Sequence, residues 1–253
     1  MSTLEVIGRM EPYGLTHALV LLTTAVAAAA FTWAARTRHG ERILAALGWI
    51  LLLSSLGWLI WWWMPERFDL RHSLPFHISD WLRVISAVAL ITRAGWAVVL
   101  SFYWGLTLNL QAFLTPALVY FENPPLEFGM FWFSHGVALV APIAIVWGLG
   151  YRPTWRGFAA GFGLTLVWLA ITLTVNAALG ANYGFVSEPP DVASAIDLLG
   201  PWPWYLVSLA AILFVAWALM TWPFTTARTQ ERTVPTSSSL LRRRPLTDDG
   251  IPA

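Results

Sequence analysis

Seven stretches of mostly apolar residues, each near the roughly 20 residues that a bilayer-spanning helix requires, divide this chain. They fall near residues 15 to 34, 43 to 64, 74 to 92, 94 to 117, 128 to 149, 157 to 178 and 204 to 223. With 57% apolar and only 11% charged residues, a water-soluble domain would have no polar surface to cover such helices. The expected fold is an all-α polytopic membrane bundle of about seven transmembrane helices occupying residues 1–226. Residues 227–253, rich in Arg, Ser and Pro, hold too little apolar material to bury and read as a disordered cytoplasmic tail. The third stretch is the least regular, because its unbroken apolar part, Trp81 to Thr92, has 12 residues and still contains Arg83. It either spans with its polar head around His77 and Asp80 counted in, or is a re-entrant segment held against protein or water.

Arginine placement orients the bundle, because basic residues are retained in short cytoplasmic loops. Arg36, Arg38, Arg42, Arg93, Arg152, Arg156, Arg228, Arg232, Arg242, Arg243 and Arg244 all fall on one side of the expected topology. The opposite loops carry Glu66, Asp69, Glu122, Glu127, Glu188, Asp191 and Asp197, with Arg67 and Arg71 as their basic residues. The N-terminus is thus expected outside and the C-terminus inside. Trp61, Trp62, Trp63, Trp202 and Trp204 cluster at the outer boundary, where indole rings prefer to sit. Glu5, Arg9 and Glu11 ahead of the first stretch do not suit a signal peptide, so that stretch reads as a retained helix.

All 15 basic residues are Arg, and without a Lys amine there is no Schiff base for retinal. The absence of Cys removes disulfides, thiolate metal sites and cysteine nucleophiles. No cofactor is expected. The expected partners are membrane lipids and not nucleic acid.

Ionisable residues inside apolar helices are costly and mark candidate sites. His17 opens the first stretch, His77 the third, and His135 lies about two turns inside the fifth, so all three belong to the outer half. Asn109, Gln111, Asn176, Asn182 and Tyr183 fall at the same end, which points to a polar pocket open outward. The plainer possibility is that each amide satisfies a neighbouring helix backbone. Within Leu74-Pro75-Phe76-His77-Ile78-Ser79-Asp80-Trp81-Leu82-Arg83, helical spacing puts His77, Asp80 and Arg83 on neighbouring turns. Asp80 is then placed to orient His77 as a general base, or to pair with Arg83 and neutralise two charges. Ser79 or Ser134 reaches a histidine only across helices, for example Ser79 with His135. His17, His77, His135 and Asp80 include metal-ligating types but lack a metal-binding spacing, so no metal site is expected. Gly157 and Gly161 form a GxxxG, which close helix packing explains.

Three segments resemble a known family: Leu74-Pro75-Phe76-His77-Ile78-Ser79-Asp80, Phe133-Ser134-His135-Gly136, and Asn182-Tyr183 followed by Asp197-Leu198-Leu199-Gly200-Pro201-Trp202-Pro203-Trp204-Tyr205. Over about residues 10 to 225 they resemble the YwaF-type bacterial integral membrane proteins. That group is distantly similar to a eukaryotic transmembrane phospholipid acyltransferase that works through a cysteine acyl-enzyme. The resemblance implies a multi-pass protein of the bacterial cytoplasmic (inner) membrane, with a lipid-facing acyl-transfer site near His77 and His135. The eukaryotic cysteine corresponds to Phe76 here, and bacterial relatives often carry Cys at Ser79. With no Cys in the chain, acyl transfer would use His77 or His135 as base for direct attack by a lipid hydroxyl.

Three functions compete on these residues. The first is a lipid acyltransferase or acyl hydrolase with His77, His135, Asp80 and Ser79 as catalytic candidates. Its substrate-binding candidates are His17, Arg83, Asn109, Gln111, Asn176, Asn182 and Tyr183. The second is a small-solute or proton-coupled transporter running along Asp80, Arg83 and the histidines. The third is a non-catalytic lipid-binding protein whose polar cluster is structural.

Overall fold

The computed structural model describes residues 6–190 and 195–225. The expected tail at 227–253 and the loop residue Asp191 lie outside the described residues. The helices are α1 (Leu15–Ala35), α2 (Gly40–Trp62), α3 (Ile78–Thr92), α4 (Gly95–Leu106), α5 (Leu110–Leu114), α6 (Pro124–Ile143), α7 (Trp155–Leu179) and α8 (Trp204–Thr221). One small antiparallel pair, β1 (Gly8–Arg9) and β2 (Val119–Tyr120), sets Gly8 opposite Tyr120. Six helical segments among the described residues are long and apolar enough to cross a membrane, with α4 and α5 counting as one and α6 extended to Gly148.

The seventh stretch to become a helix is α3, and it is short. At 1.5 Å per residue, α2 with its 23 residues is about 35 Å long and α3 with its 15 is about 22 Å. Their other ends are tied together, since the Arg93 guanidinium just past α3 donates to the Glu41 carbonyl at the start of α2 at 2.8 Å. Packed against α2, α3 therefore begins about 12 Å below the end of α2. That offset carries the loop before α3, and with it His77 and Asp80, down into the bundle. The two helices approach closely at Gly48, where an added Cβ would stand 2.8 Å from Ile91 and Leu90 side-chain atoms.

The layers are inverted relative to a soluble protein. From Met130 to Val146 no residue of the α6 segment is exposed, because α1, α2, α3 and α4 surround it. The peripheral helices turn apolar side chains outward and bury polar ones: His17 and Thr24 on α1, Thr172 and Asn176 on α7, Tyr205 and Thr221 on α8. Lipid is as apolar as leucine, so the polar minority is what gains from facing protein.

Two helix boundaries differ from the sequence expectation for identifiable reasons. The fourth stretch breaks at Thr107 (φ −129°, ψ −74°), and Asn109 N–H reaches back five residues to the Trp104 carbonyl at 2.9 Å. The fifth starts earlier than expected, at Pro124, because Asn123 caps it: its side-chain oxygen accepts from Leu126 N–H at 3.2 Å. Beyond Pro142 the same helix widens into a π turn, Ala144–Gly148, where Arg36 donates to the Trp147 carbonyl at 3.0 Å.

Candidate functional site

The acidic-loop end of the bundle holds all the polar candidates, and the structure sorts them by what their side chains already do. Asn109 is 4% exposed, and the break between α4 and α5 aims it at α6. Its Nδ2 donates to the His135 carbonyl at 3.0 Å, which fixes which edge of the amide is nitrogen. Its Oδ1, an acceptor only, faces His135 Nδ1 at 2.7 Å. Nδ1 therefore carries the proton, and the neutral ring keeps its lone pair on Nε2. His135 itself is half-buried on a helix segment with no exposed residue.

His77 is tied on its other side. Gly184 N–H donates to His77 Nδ1 at 3.2 Å, which places the proton of the neutral ring on Nε2. Nε2 makes no hydrogen bond among the described residues. Tyr183 and Phe185 pack against the ring with centroids 5.3 and 5.7 Å away. Burial in this loop holds the imidazole below its ordinary range; Asp80 opposes the shift, while His72 and Arg83 add to it. Gly184 sits at φ +66°, and an added Cβ there would be 2.8 Å from the Trp168 ring.

Asp80 bonds Arg83, not His77: the two form an ion pair whose side chains are 20% and 13% exposed. The orienting role expected for Asp80 is thus absent, because its neighbour one turn along α3 takes the carboxylate. Arg83 sits on α3, which packs against α6. Its Nε is buried and unpartnered.

Other expected site residues are committed elsewhere. His17, 2% exposed, accepts from Tyr13 N–H at Nδ1 (3.0 Å) and donates from Nε2 to the Phe113 carbonyl (2.9 Å), so both ring nitrogens serve the backbone. Gln111 bonds Thr115 one turn on. Asn176 clamps the backbone of Tyr183, donating to its carbonyl at 3.0 Å and accepting from its N–H at 2.9 Å. Asn182 accepts from Ser187 and Glu188 N–H groups, both at 3.2 Å. Tyr183, fully buried, donates to the Leu70 carbonyl at 2.8 Å and accepts from Leu74 N–H at 3.0 Å. Burial raises the Tyr183 phenol above its usual value. Asn176, Asn182 and Tyr183 therefore build the wall that carries Gly184 and position the His77 loop; none offers a free polar group. Ser134 returns its hydroxyl to the Met130 carbonyl at 2.7 Å. Ser79 is half-buried in the first turn of α3 and bonds neither histidine.

Among the described residues no group of three His, Asp or Glu is arranged to hold a metal ion. Two grooves, of about 380 Å³ beside Tyr13 and Pro116 and about 340 Å³ between Trp155 and Trp222, touch no histidine.

The model of the TMEM164 family matches residues 12–221, from just before α1 to the last residue of α8. The chain belongs to the TMEM164 family. As a member of this transmembrane family with six long apolar helices, it is a multi-pass membrane protein. Every candidate residue of this family member, from His17 to Tyr183, lies inside the matched region; β1 lies outside it. No curated protein and no solved structure matches the chain.

Sequence reasoning passed over Trp168, whose ring lies against Gly184, and Thr172, buried one turn further along α7. The signal was present in the spacing, since Trp168, Thr172 and Asn176 recur every four residues on an otherwise lipid-facing helix.

Proposed function

We propose that this chain is a lipid acyltransferase or acyl hydrolase of the bacterial inner membrane, N-terminus outside, in which His135 is the general base. The observation that carries the proposal is the two-point grip of Asn109 on His135. It leaves Nε2 of the neutral ring with its lone pair uncommitted, as a general base requires. The resemblance to YwaF-type proteins, and through them to an acyltransferase, supports the same chemistry from residues that include His77 and His135.

The step balances without a cysteine. A hydroxyl of a second lipid, or water, gives its proton to His135 Nε2 as its oxygen bonds to the carbonyl carbon of a lipid ester. The tetrahedral intermediate then breaks the original ester C–O bond, and the departing oxygen takes the proton back from Nε2. The products are a new ester and an alcohol, or a free acid and an alcohol when water attacks. In this reading His77 Nε2–H and the Arg83 guanidinium, both at the head of α3, are the donors that offset charge on the developing oxyanion. Transport is less well supported, because two buried polar pairs toward the arginine end, Ser86 with Ser101 and Tyr103 with Thr221, are already bonded to each other.

The test is untargeted lipid mass spectrometry on membranes from cells carrying the wild-type chain, its deletion, or His135→Ala at matched expression. The expected result is a deletion-specific shift in lipid species that wild type reverses and His135→Ala does not. Full reversal by His135→Ala, or identical profiles in all three, overturns the proposal in favour of transport or lipid binding.

A further inference from the structure

At the end of the bundle away from the histidines, packing leaves a groove open between the start of α7 and the end of α8. It is lined by Trp155 on α7 and by Phe214, Val215, Ala218, Leu219 and Trp222 along α8 and the 3₁₀ turn that continues it, Trp222–Phe224. Its volume of about 340 Å³ falls among ligand-sized pockets, roughly 300–1,000 Å³. The two walls are braced from behind, since the Trp155 ring meets Phe158 edge-on at 5.7 Å and Phe158 meets Phe214 at 5.1 Å. From Phe214 to Trp222 the lining rises about 12 Å along the helix axis, close to the depth of one leaflet's hydrocarbon, about 15 Å. A partner's transmembrane helix would need a seam along the whole span, and this one stops midway along α8.

The polar rim indicates the occupant. Arg152 is drawn toward the groove's mouth by Phe224, two residues past Trp222: its guanidinium carbon lies 5.9 Å from the centroid of that ring. Arg156 directly follows Trp155 in the first turn of α7. Both arginines are exposed, and neither forms an ion pair or hydrogen bond among the described residues. The one carboxylate at this end among the described residues, Glu41, stands at the start of α2, where Arg93 is docked. The indole N–H groups of Trp155 and Trp222 also make no hydrogen bond among the described residues, and they sit at the boundary depth that tryptophan prefers. Two positive charges above an apolar slot complement an amphiphile that joins one negative charge to a hydrocarbon chain. A zwitterionic headgroup would bring a second cation against the arginines, and a neutral one would leave them unpaired.

We propose that the groove between α7 and α8 is a binding site for an anionic glycerophospholipid of the leaflet at the arginine end. One acyl chain lies along Phe214, Ala218 and Leu219, and the phosphate reaches Arg152 and Arg156. The indole N–H groups of Trp155 and Trp222 donate to the ester and phosphate oxygens between them. The site is separate from the histidines and stands whether or not the chain carries out acyl transfer.

The test titrates the full-length protein, delipidated in a neutral detergent, with phosphatidylglycerol or phosphatidylethanolamine and counts bound lipid by native mass spectrometry. The expected result is one phosphatidylglycerol per chain, held in preference to phosphatidylethanolamine. Its binding should weaken about fivefold in Arg152→Gln and again in Arg156→Gln, each of which removes one charge near the headgroup. It should be lost in Ala218→Phe, which fills the groove and leaves the charge unchanged. Near-ultraviolet circular dichroism reads folding, and the two arginine variants, on exposed side chains, decide the matter where Ala218→Phe does not fold. Equal retention of the two lipids, no retention, or phosphatidylglycerol binding unchanged by both arginine variants overturns the assignment. So does displacement of the lipid by equimolar inorganic phosphate, which would leave the apolar groove without a role. A wild-type dimer that retains no lipid and becomes monomeric in Ala218→Phe also overturns it, and gives the groove to a second copy of the chain.

Discussion

Two buried histidines at the same end of the bundle, His17 and His135, end up in opposite conditions. At the corner of α1 and α5, both nitrogens of His17 are bonded to the main chain, one to Tyr13 N–H and one to the Phe113 carbonyl. Between α4 and α6, His135 gives one nitrogen to a side-chain amide and keeps the other. A histidine that bridges two backbone groups is a staple, because any change of protonation breaks a bond the fold needs. A histidine held through one nitrogen has its tautomer set and its second nitrogen available. The difference lies in the partners and not in burial, since each ring sits inside the protein.

The sharpest way to break this contrast is to remove each ring in turn. His135→Ala is expected to reduce lipid turnover in isolated membranes by about 10²- to 10⁴-fold, the usual worth of a general base, with a small change in melting temperature. Asn109→Ala should cost about 10- to 100-fold in turnover, as loss of an orienting partner typically does, and should respond to Asn109→Asp, which restores an acceptor for Nδ1–H. His17→Ala strands the Tyr13 N–H and the Phe113 carbonyl and should cost about 2 kcal/mol in a denaturation experiment, with turnover per folded molecule unchanged. If His17→Ala abolished turnover while melting normally, the staple and the base would have been assigned the wrong way round.

Smaller effects sharpen the picture at His77. Gly184→Ala forces a Cβ onto φ +66° and against Trp168, an expected loss of about 1–2 kcal/mol, read as a lower melting temperature. The smallest is a pH effect. Burial lowers the folded pKa of His77 below the ordinary 6.5, so the unfolded chain takes up a proton that the folded chain refuses. This contribution is fully present above pH 6.5 and is lost as the pH falls through the window between the two values. The melting temperature should therefore decline on acidification below pH 6.5, and less steeply in His77→Asn, whose side-chain oxygen still accepts from Gly184 N–H.

Most of the architecture was legible because a bilayer imposes length and hydropathy on each helix separately. All seven expected stretches are helical. The third was flagged as irregular by Arg83 and its 12-residue apolar run, and it is the short α3. Asn123-Pro124 was a readable start signal for α6 that hydropathy alone overlooked, since proline suits a first helical turn and asparagine its cap. The kink at Thr107 carried no proline, and Gly105 in the same turn is used for close approach to Ala138 on α6; Asn109 there meets a residue 26 positions away, which no local spacing shows.

At the site, local spacing already contained the Asp80 and Arg83 pair, an i,i+3 contact on one helix. It also gathered every histidine of interest at one end, through the alternation of spans. What no spacing contained was the order of helices around the bundle. That order decided that Asn109 faces His135, that Asn176 and Tyr183 brace a loop, and that His17 is spent on backbone. It also left the Trp168 indole N–H and the Thr172 hydroxyl buried with no partner among the described residues. Hydropathy acts residue by residue along a chain and is therefore written in the sequence; the pairing of polar groups across helices is a property of neighbours, and only the packed bundle chooses them.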